Sequence, residues 1–364
     1  MEILANNLKR QYDLYAKEYE EKALAVLRKG WYVLGTEVSS FEQEFADYVG
    51  AKYCVGLASG LDALWIGLKA MGIKEGDEVI VAANAYIACV MSITMNGATP
   101  IFVEPDEYDN LDANKVEEKI TPSTKAIMAV HLYGQSCDMD QLMKLSQKYS
   151  IPIIEDCAQA HGTKFNGKTC GTFGKVGCFS FYPTKGLGAF GDGGAIVTDD
   201  AELADYVRMY RNYGSKVRYE NEVVGANSRL DEIQAGLLRV KLKHLDTLNE
   251  ERNQLAKRYL EGIQNPLITC LQTRPHCYNT YHQFEIHCPK RDALITYLKD
   301  LGIGTIIHYP IPPYLSKAYA YLGYQVGDFP ITEQYANEIL SIPMYNGMTQ
   351  EEQDYVINAI NAFE

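Results

Sequence analysis

Lys185 closes the run Phe179-Ser-Phe-Tyr-Pro-Thr-Lys185, directly after a β-rich stretch and before the glycine-dense segment 186–194. An amine held there loses solvation, which lowers its pKa toward the range where lysine forms a Schiff base with a carbonyl. The alternative is a surface lysine closing a loop, and the company it keeps decides between them. Ile153-Ile154-Glu155-Asp156 puts carboxylates at the C-terminal end of a buried strand, where α/β folds assemble their sites. Ser59-Gly60 joins a strand to a helix beginning at Leu61, offering free amides and a positive dipole end to a phosphate. Ser180 adds a hydroxyl to that cup, and Tyr86, opening a helix after Ala82-Ala83-Asn84-Ala85, offers an aromatic face. Taken singly, these residues also read as helix caps, a strand hydroxyl and a core tyrosine. In this order they match what pyridoxal phosphate (PLP) requires: a Schiff-base lysine, an anion for the pyridine nitrogen, a phosphate cup and a ring partner.

Two competing phosphate signatures fail on context. Gly162-Thr-Lys-Phe-Asn-Gly-Lys-Thr169 fits the P-loop pattern, but the following Cys170–Gly177 stretch holds three glycines and cannot carry the required helix. Asn166-Gly167 fits a type I′ turn, so a β-hairpin is expected instead. Gly186-Leu-Gly-Ala-Phe-Gly191 fits the dinucleotide fingerprint, yet Asp192-Gly193-Gly194 and a β-run follow it rather than a helix. Arg208, Arg211, Lys216 and Arg218 form a cationic cluster that reads either as a diphosphate-binding patch or as a solvated helix face.

The elements that must position these residues follow from hydropathy. Strands are expected at 53–58, 78–82, 100–103, 126–131, 151–155, 178–182 and 195–198. Helices are expected from Leu61 to a stop at Gly72, over 86–96, 139–149 and 201–210, and as one long helix over 230–263 broken near Glu250. Near-continuous apolar strands separated by helices imply a mostly parallel sheet covered on both faces. Beyond it, strands at 281–287 and 305–309, a helix at 290–301 and two final helices ending at Phe363 suggest a smaller α+β domain. The expected division is 1–250 for the large α/β domain and 251–364 for the small one.

The 364 residues carry a net charge of −13, which disfavours nucleic acid and anionic membranes as partners. No run approaches membrane-spanning length, and the N-terminal stretch lacks an apolar signal block, so a cytoplasmic setting is expected. Nine cysteines without C-x-x-C spacing argue for reduced, buried thiols and no metal site.

Over essentially its whole length the chain resembles the DegT/DnrJ/EryC1/StrS sugar aminotransferases, PLP-dependent enzymes of fold type I. The matching stretches are Ser59–Leu64, Glu155–Gly162, Phe179–Lys185, Gly193-Gly194, Gly225–Glu232 and His308-Tyr-Pro-Ile-Pro312. The resemblance implies Lys185 as the Schiff-base lysine, Asp156 at the pyridine nitrogen, Gln159 near the cofactor hydroxyl and Tyr86 on the ring face. Ser59, the Gly60 and Leu61 amides, Ser180 and Asn227 of a neighbouring subunit would hold the phosphate. Tyr182, Lys216, Arg218, His308 and Tyr309 would face the substrate. It further implies a homodimer with shared sites, L-glutamate as donor and a dTDP-linked keto sugar as acceptor, in service of a polymer such as the O-antigen of lipopolysaccharide. Leu61 and Ser228–Glu232 look more like the branch aminating C3 of a dTDP-3-oxo-6-deoxyhexose. Leu61 stands where many relatives have threonine, and Tyr314 where relatives often have histidine. The competing readings are a C4 aminotransferase, a sugar dehydratase, which would be expected to replace Lys185 by histidine, and a non-catalytic regulator.

Overall fold

Short runs rich in valine, isoleucine and alanine cannot satisfy their backbone in isolation, and here they pair into one sheet. The computed structural model describes residues 1–364. Its main sheet comprises β1 (Tyr53–Leu57), β2 (Glu78–Ala82), β3 (Thr99–Val103), β4 (Thr124–Val130), β5 (Ile153–Asp156), β6 (Val176–Ser180) and β7 (Gly194–Thr198). The spatial order is β1-β7-β6-β5-β4-β2-β3, with β7 alone antiparallel to both neighbours. Six strands therefore end at the same edge of the sheet, the edge at which α/β proteins gather ligands.

Strand alternation divides the core. Val55, Leu57, Cys178 and Ile196 join a 47-residue cluster on one face, with the helices Gly60–Ala70, Ile87–Thr94 and Ala201–Tyr210. Cys54, Phe179, Ala195 and Val197 join a 20-residue cluster on the other, with the helices Thr36–Val49 and Glu232–Leu242. A separate cluster of 19 residues gathers Leu255, Tyr259, Phe284, Leu298, Leu340 and Val356, together with Ile3 from the chain's start. It packs around a three-stranded antiparallel sheet of Thr269–Cys270, β8 (Phe284–His287) and β9 (Ile339–Ile342).

The seven sheet strands fall within two residues of their expected positions. Asn166 and Gly167 have φ of 49° and 78°, as a type I′ turn requires, and join the short strands Lys164–Phe165 and Lys168–Thr169. Residues 186–191 form no helix. Three expectations are corrected. Residues 305–309 form no strand: only Ile306 bridges, to Ser341, because His308 and Tyr309 turn away toward a cavity. Ile339–Ile342, between the last two helices, is a strand that the expected element order did not include. The long helix breaks into Glu232–Leu242 and Leu245–Gly262, at Lys243-His244 rather than near Glu250, because the His244 amide turns back to the Lys241 carbonyl at 3.0 Å. All nine cysteines are free thiols and seven are buried. No helix is long and apolar enough to cross a membrane.

Candidate active site

A cavity of about 390 Å³ opens over the C-terminal ends of the parallel strands. Ser59, Gly60, Leu61, Tyr86, Asp156, Gln159, Ser180, Tyr182, Lys185, His308 and Tyr309 all line it. They reach the cavity from strand ends, helix starts and loops that are far apart in the chain.

Ser59 caps the helix Gly60–Ala70, its Oγ accepting the Asp62 amide at 3.1 Å. Helix geometry leaves the first amides, those of Gly60 and Leu61, without intrahelical acceptors, so they are available to an anion. Gly60 is obligatory: a Cβ there would lie 2.5 Å from the Cβ of Ser180. Gly194 is equally confined, its Cβ position falling 2.2 Å from the Ser59 carbonyl oxygen. Ser228 supports this turn from outside the cavity, accepting the Ala58 amide at 3.1 Å and donating to Asp62 Oδ2 at 2.7 Å.

Alternation along β5 sends its two carboxylates to opposite faces. Glu155 is fully buried and accepts the Gly171 and Gly174 amides at 2.7 and 2.6 Å, with His131 Nε2 at 3.0 Å. It fastens the glycine-rich segment, and with Cys157 it forms a buried His131–Glu155–Cys157 group whose carboxylate oxygens are already hydrogen-bonded. Asp156 lines the cavity, with Oδ1 accepting the Ala158 amide at 2.9 Å and Oδ2 taking only the Cys89 thiol at 3.0 Å. Burial and the neighbouring Asp156 push the Cys89 thiol well up, so it stays protonated as a weak donor. A carboxylate oxygen spent on a thiol is free to take a stronger N–H, which suits a pyridinium.

Lys185 is held in a turn by its amide, which donates to the Tyr182 carbonyl at 2.8 Å. Loss of solvation lowers its pKa to about 8, against the opposing pull of Asp156 and Cys89. The Tyr86 ring stands 4.8 Å from that of Tyr309, inclined by 34°. Gln159 accepts the Tyr133 amide at 2.5 Å and donates to Tyr309 Oη at 3.2 Å. Tyr133 in turn donates to the His308 carbonyl at 2.5 Å, tying the sheet edge to the loop that carries His308.

Three expected contributors lie elsewhere. Asn227 is exposed and bridges to Asn212 through its backbone. Lys216 and Arg218 are exposed on the hairpin Ser215–Val217/Glu220–Asn221, Lys216 3.6 Å from Glu222 and Arg218 over the Tyr219 ring. The four cations form no common patch: Arg211 is buried against Glu42 and the Gly56 carbonyl, and Arg208 pairs with Asp205. Conversely, His282 and Gln283 line the cavity without having been singled out. The one available signal was two adjacent polar residues where a half-buried strand would alternate. Burial and the Lys185 charge hold His282 well below the ordinary histidine pKa.

A poorly solvated lysine facing a buried carboxylate, across from helix-end amides, is a cradle for a phosphorylated aromatic aldehyde. The class so defined is that of the PLP-dependent aminotransferases. More narrowly, the chain belongs to the DegT/DnrJ/EryC1/StrS aminotransferase family, whose model matches residues 14–361. It is 50% identical over 350 residues to a dTDP-3-amino-3,6-dideoxy-alpha-D-galactopyranose transaminase of Aneurinibacillus thermoaerophilus, covering 96% of each chain. A crystal structure of Streptomyces venezuelae DesV, in complex with a ketimine intermediate, superposes with a TM-score of 0.97 at 44% identity, covering 99% of this chain and 98% of the other. NtdA from Bacillus subtilis, with bound cofactor PMP, gives a TM-score of 0.90 at 30% identity, covering 97% and 83%.

Proposed function

We propose that this protein transfers the amino group of L-glutamate to C3 of a dTDP-linked 3-oxo-6-deoxyhexose, giving a dTDP-3-amino-3,6-dideoxyhexose. The observation that carries the substrate reading is the 50% identity, across 96% of both chains, to a relative named for a dTDP-3-amino-3,6-dideoxyhexose. Residues able to hold the cofactor support the reaction class. PLP, when bound, supplies an electron sink for the charge left on carbon as a proton departs. Asp156 keeps the pyridine nitrogen protonated, the Gly60 and Leu61 amides with Ser59 and Ser180 hold the phosphate, and Tyr86 covers the ring. Lys185 would hold the cofactor aldehyde and, as a free amine, would take and return the substrate proton; its depressed pKa suits it to act as both base and acid near neutrality.

Tyr182, His308 and Tyr309, all lining the cavity, are the proposed contacts to the hexose. A homodimer completes the site in this reading, with Asn227, Lys216 and Arg218 serving the neighbouring subunit's cavity. Exposed Trp31, Tyr32, Tyr219 and Val224 supply apolar surface for such an interface. Residues 1–250 carry the cofactor and residues 251–364 close over the sugar, a division supported by the separate apolar cluster of the C-terminal part. The setting is cytoplasmic and the product serves a surface polysaccharide such as O-antigen.

Regiochemistry tests the proposal. The amine must approach within about 3–3.5 Å of the carbonyl carbon, and moving the ketone one ring position shifts it by roughly 1.5 Å. With an anchored nucleotide, the 3-oxo sugar is expected to react about 100-fold faster than its 4-oxo isomer. Equal rates, or preference for the 4-oxo sugar, would assign the enzyme to C4.

A further inference from the structure

Behind His308 runs a buried chain of hydrogen bonds that the proposed reaction does not yet use. His308 Nδ1 lies 2.6 Å from Ser341 Oγ, and Ser341 Oγ lies 2.6 Å from Glu285 Oε1. Ser341 and Glu285 sit opposite each other across β8 and β9, and both are buried. The second carboxyl oxygen of Glu285, Oε2, is buried with no partner. An ionised carboxylate with an orphaned oxygen is costly there, whereas a neutral acid needs only one good bond.

The direction of the chain follows from that choice. With Glu285 neutral, its O–H donates to Ser341, Ser341 donates to His308 Nδ1, and the ring proton resides on Nε2. With Glu285 ionised, Ser341 donates to the carboxylate and must accept from Nδ1–H, which leaves Nε2 bare. We propose that Glu285 and Ser341 are positioning residues that set the His308 tautomer, presenting Nε2–H as a hydrogen-bond donor to a sugar oxygen in the cavity. Gln283 Nε2 stands 2.9 and 2.8 Å from the two ring nitrogens, and its Oε1 is buried without a partner. Turning that amide offers an acceptor to Nε2–H until a substrate oxygen accepts that hydrogen bond instead.

The surroundings favour the neutral acid. Asp109, paired with His287 at 3.2 Å, faces Glu285, as do the phenols of Tyr133 and Tyr309. Burial, aided by Asp109, raises the Glu285 pKa to about 8, although Ser341 opposes the shift. His308 is held down to about 4 by burial and by Lys185, and His282 lies near it, so the ring stays neutral and only its tautomer is at stake.

This inference rests on the assignment of His308 to the sugar, and one experiment separates the two. Histidine-¹⁵N-labelled holoenzyme is titrated from pH 6.5 to 9.5, with the His308 signal assigned by its loss in His308→Asn. The wild type is expected to show Nε2–H at pH 7 and to swap toward Nδ1–H as pH rises through about 8. Glu285→Gln, whose amide N–H donates to Ser341 at every pH, should hold Nε2–H throughout, and Ser341→Ala should lose the single tautomer. The sugar half-reaction should slow roughly tenfold in Ser341→Ala while the glutamate half-reaction changes less than about twofold. If both variants titrate like the wild type, there is no relay; Glu285→Gln is nearly isosteric and keeps the test decisive should Ser341→Ala fold poorly. If the tautomer responds as expected but the sugar half-reaction keeps its rate, the relay stands and His308 is removed from the sugar site.

Discussion

A lysine attacks a carbonyl only as the free amine, so the environment of Lys185 governs how the cofactor is captured. At the ordinary lysine pKa of 10.4, fewer than about one amine in a thousand is neutral at pH 7. At about 8, the value set by lost solvation, the neutral fraction is roughly a tenth. Because the pKa is lowered, the reactive form rises with pH up to about 8 and then saturates, well below the range of a solvated lysine. Stopped-flow absorbance of PLP uptake by apoprotein should therefore climb nearly tenfold between pH 6 and 7 and level off above pH 8.5. Borohydride should then fix the label on Lys185, and Lys185→Ala should take none. At this scale the sequence was most informative where residue type is tied to chemistry, as at Lys185, Asp156 and Ser180. It was silent on Glu285 and Ser341, an ordinary acid and an ordinary serine whose meaning arises only when two strands far apart in the chain become neighbours.

The Ser228–Glu232 stretch, read as a mark of substrate preference, performs an architectural task. Glu232 is fully buried and accepts the amides of Gly35 and Val38 at 2.8 Å and of Glu37 at 3.0 Å, capping the helix Thr36–Val49 from another element. Negative charge at a helix N-terminus is favourable, and three amides lose their partner if it goes. Glu232→Ala should cost about 3 kcal/mol in urea unfolding, at the upper end for lost buried acceptors, whereas Glu232→Gln should cost less because one oxygen remains. Loss of under about 0.5 kcal/mol would mean that water replaces the carboxylate. The main-sheet strands were legible because both faces are buried and the apolar runs are unbroken. Residues 305–309 were misread because the same β-rich composition serves a loop that lines a cavity. The helix break at Lys243-His244 carries no glycine or proline to announce it.

For the molecule as a whole, the clearest gap between sequence and single-chain geometry is Asn227, which stands at the surface outside its own cavity. Residues that serve another copy leave no trace in one chain's contacts, and that is the role proposed for it. Mixing Lys185→Ala with Asn227→Ala chains should regenerate activity, up to about a quarter of the wild-type level, because random pairing into two-fold dimers makes half of them hybrids with one intact site each. Subunit exchange is monitored in parallel by mass spectrometry. Exchange without recovered activity would show that each chain builds its site alone. The cationic run from Arg208 to Arg218 teaches the converse: charges close in sequence were dispersed by the fold into local pairs, one of them deep in the core.

The buried free thiols are a set of internal clocks. Cys89, Cys137 and Cys178 belong to the largest apolar cluster, Cys54, Cys157 and Cys170 to the cluster across the sheet, and Cys288 to the C-terminal one. Each is shielded from alkylating reagents until its own cluster opens, so brief labelling in rising denaturant followed by peptide mass spectrometry reads three regions separately. Simultaneous exposure would mean that the site edge and the C-terminal part melt as one body. Earlier exposure of Cys288 would mean that the segment carrying His308 detaches while the cofactor cradle still stands.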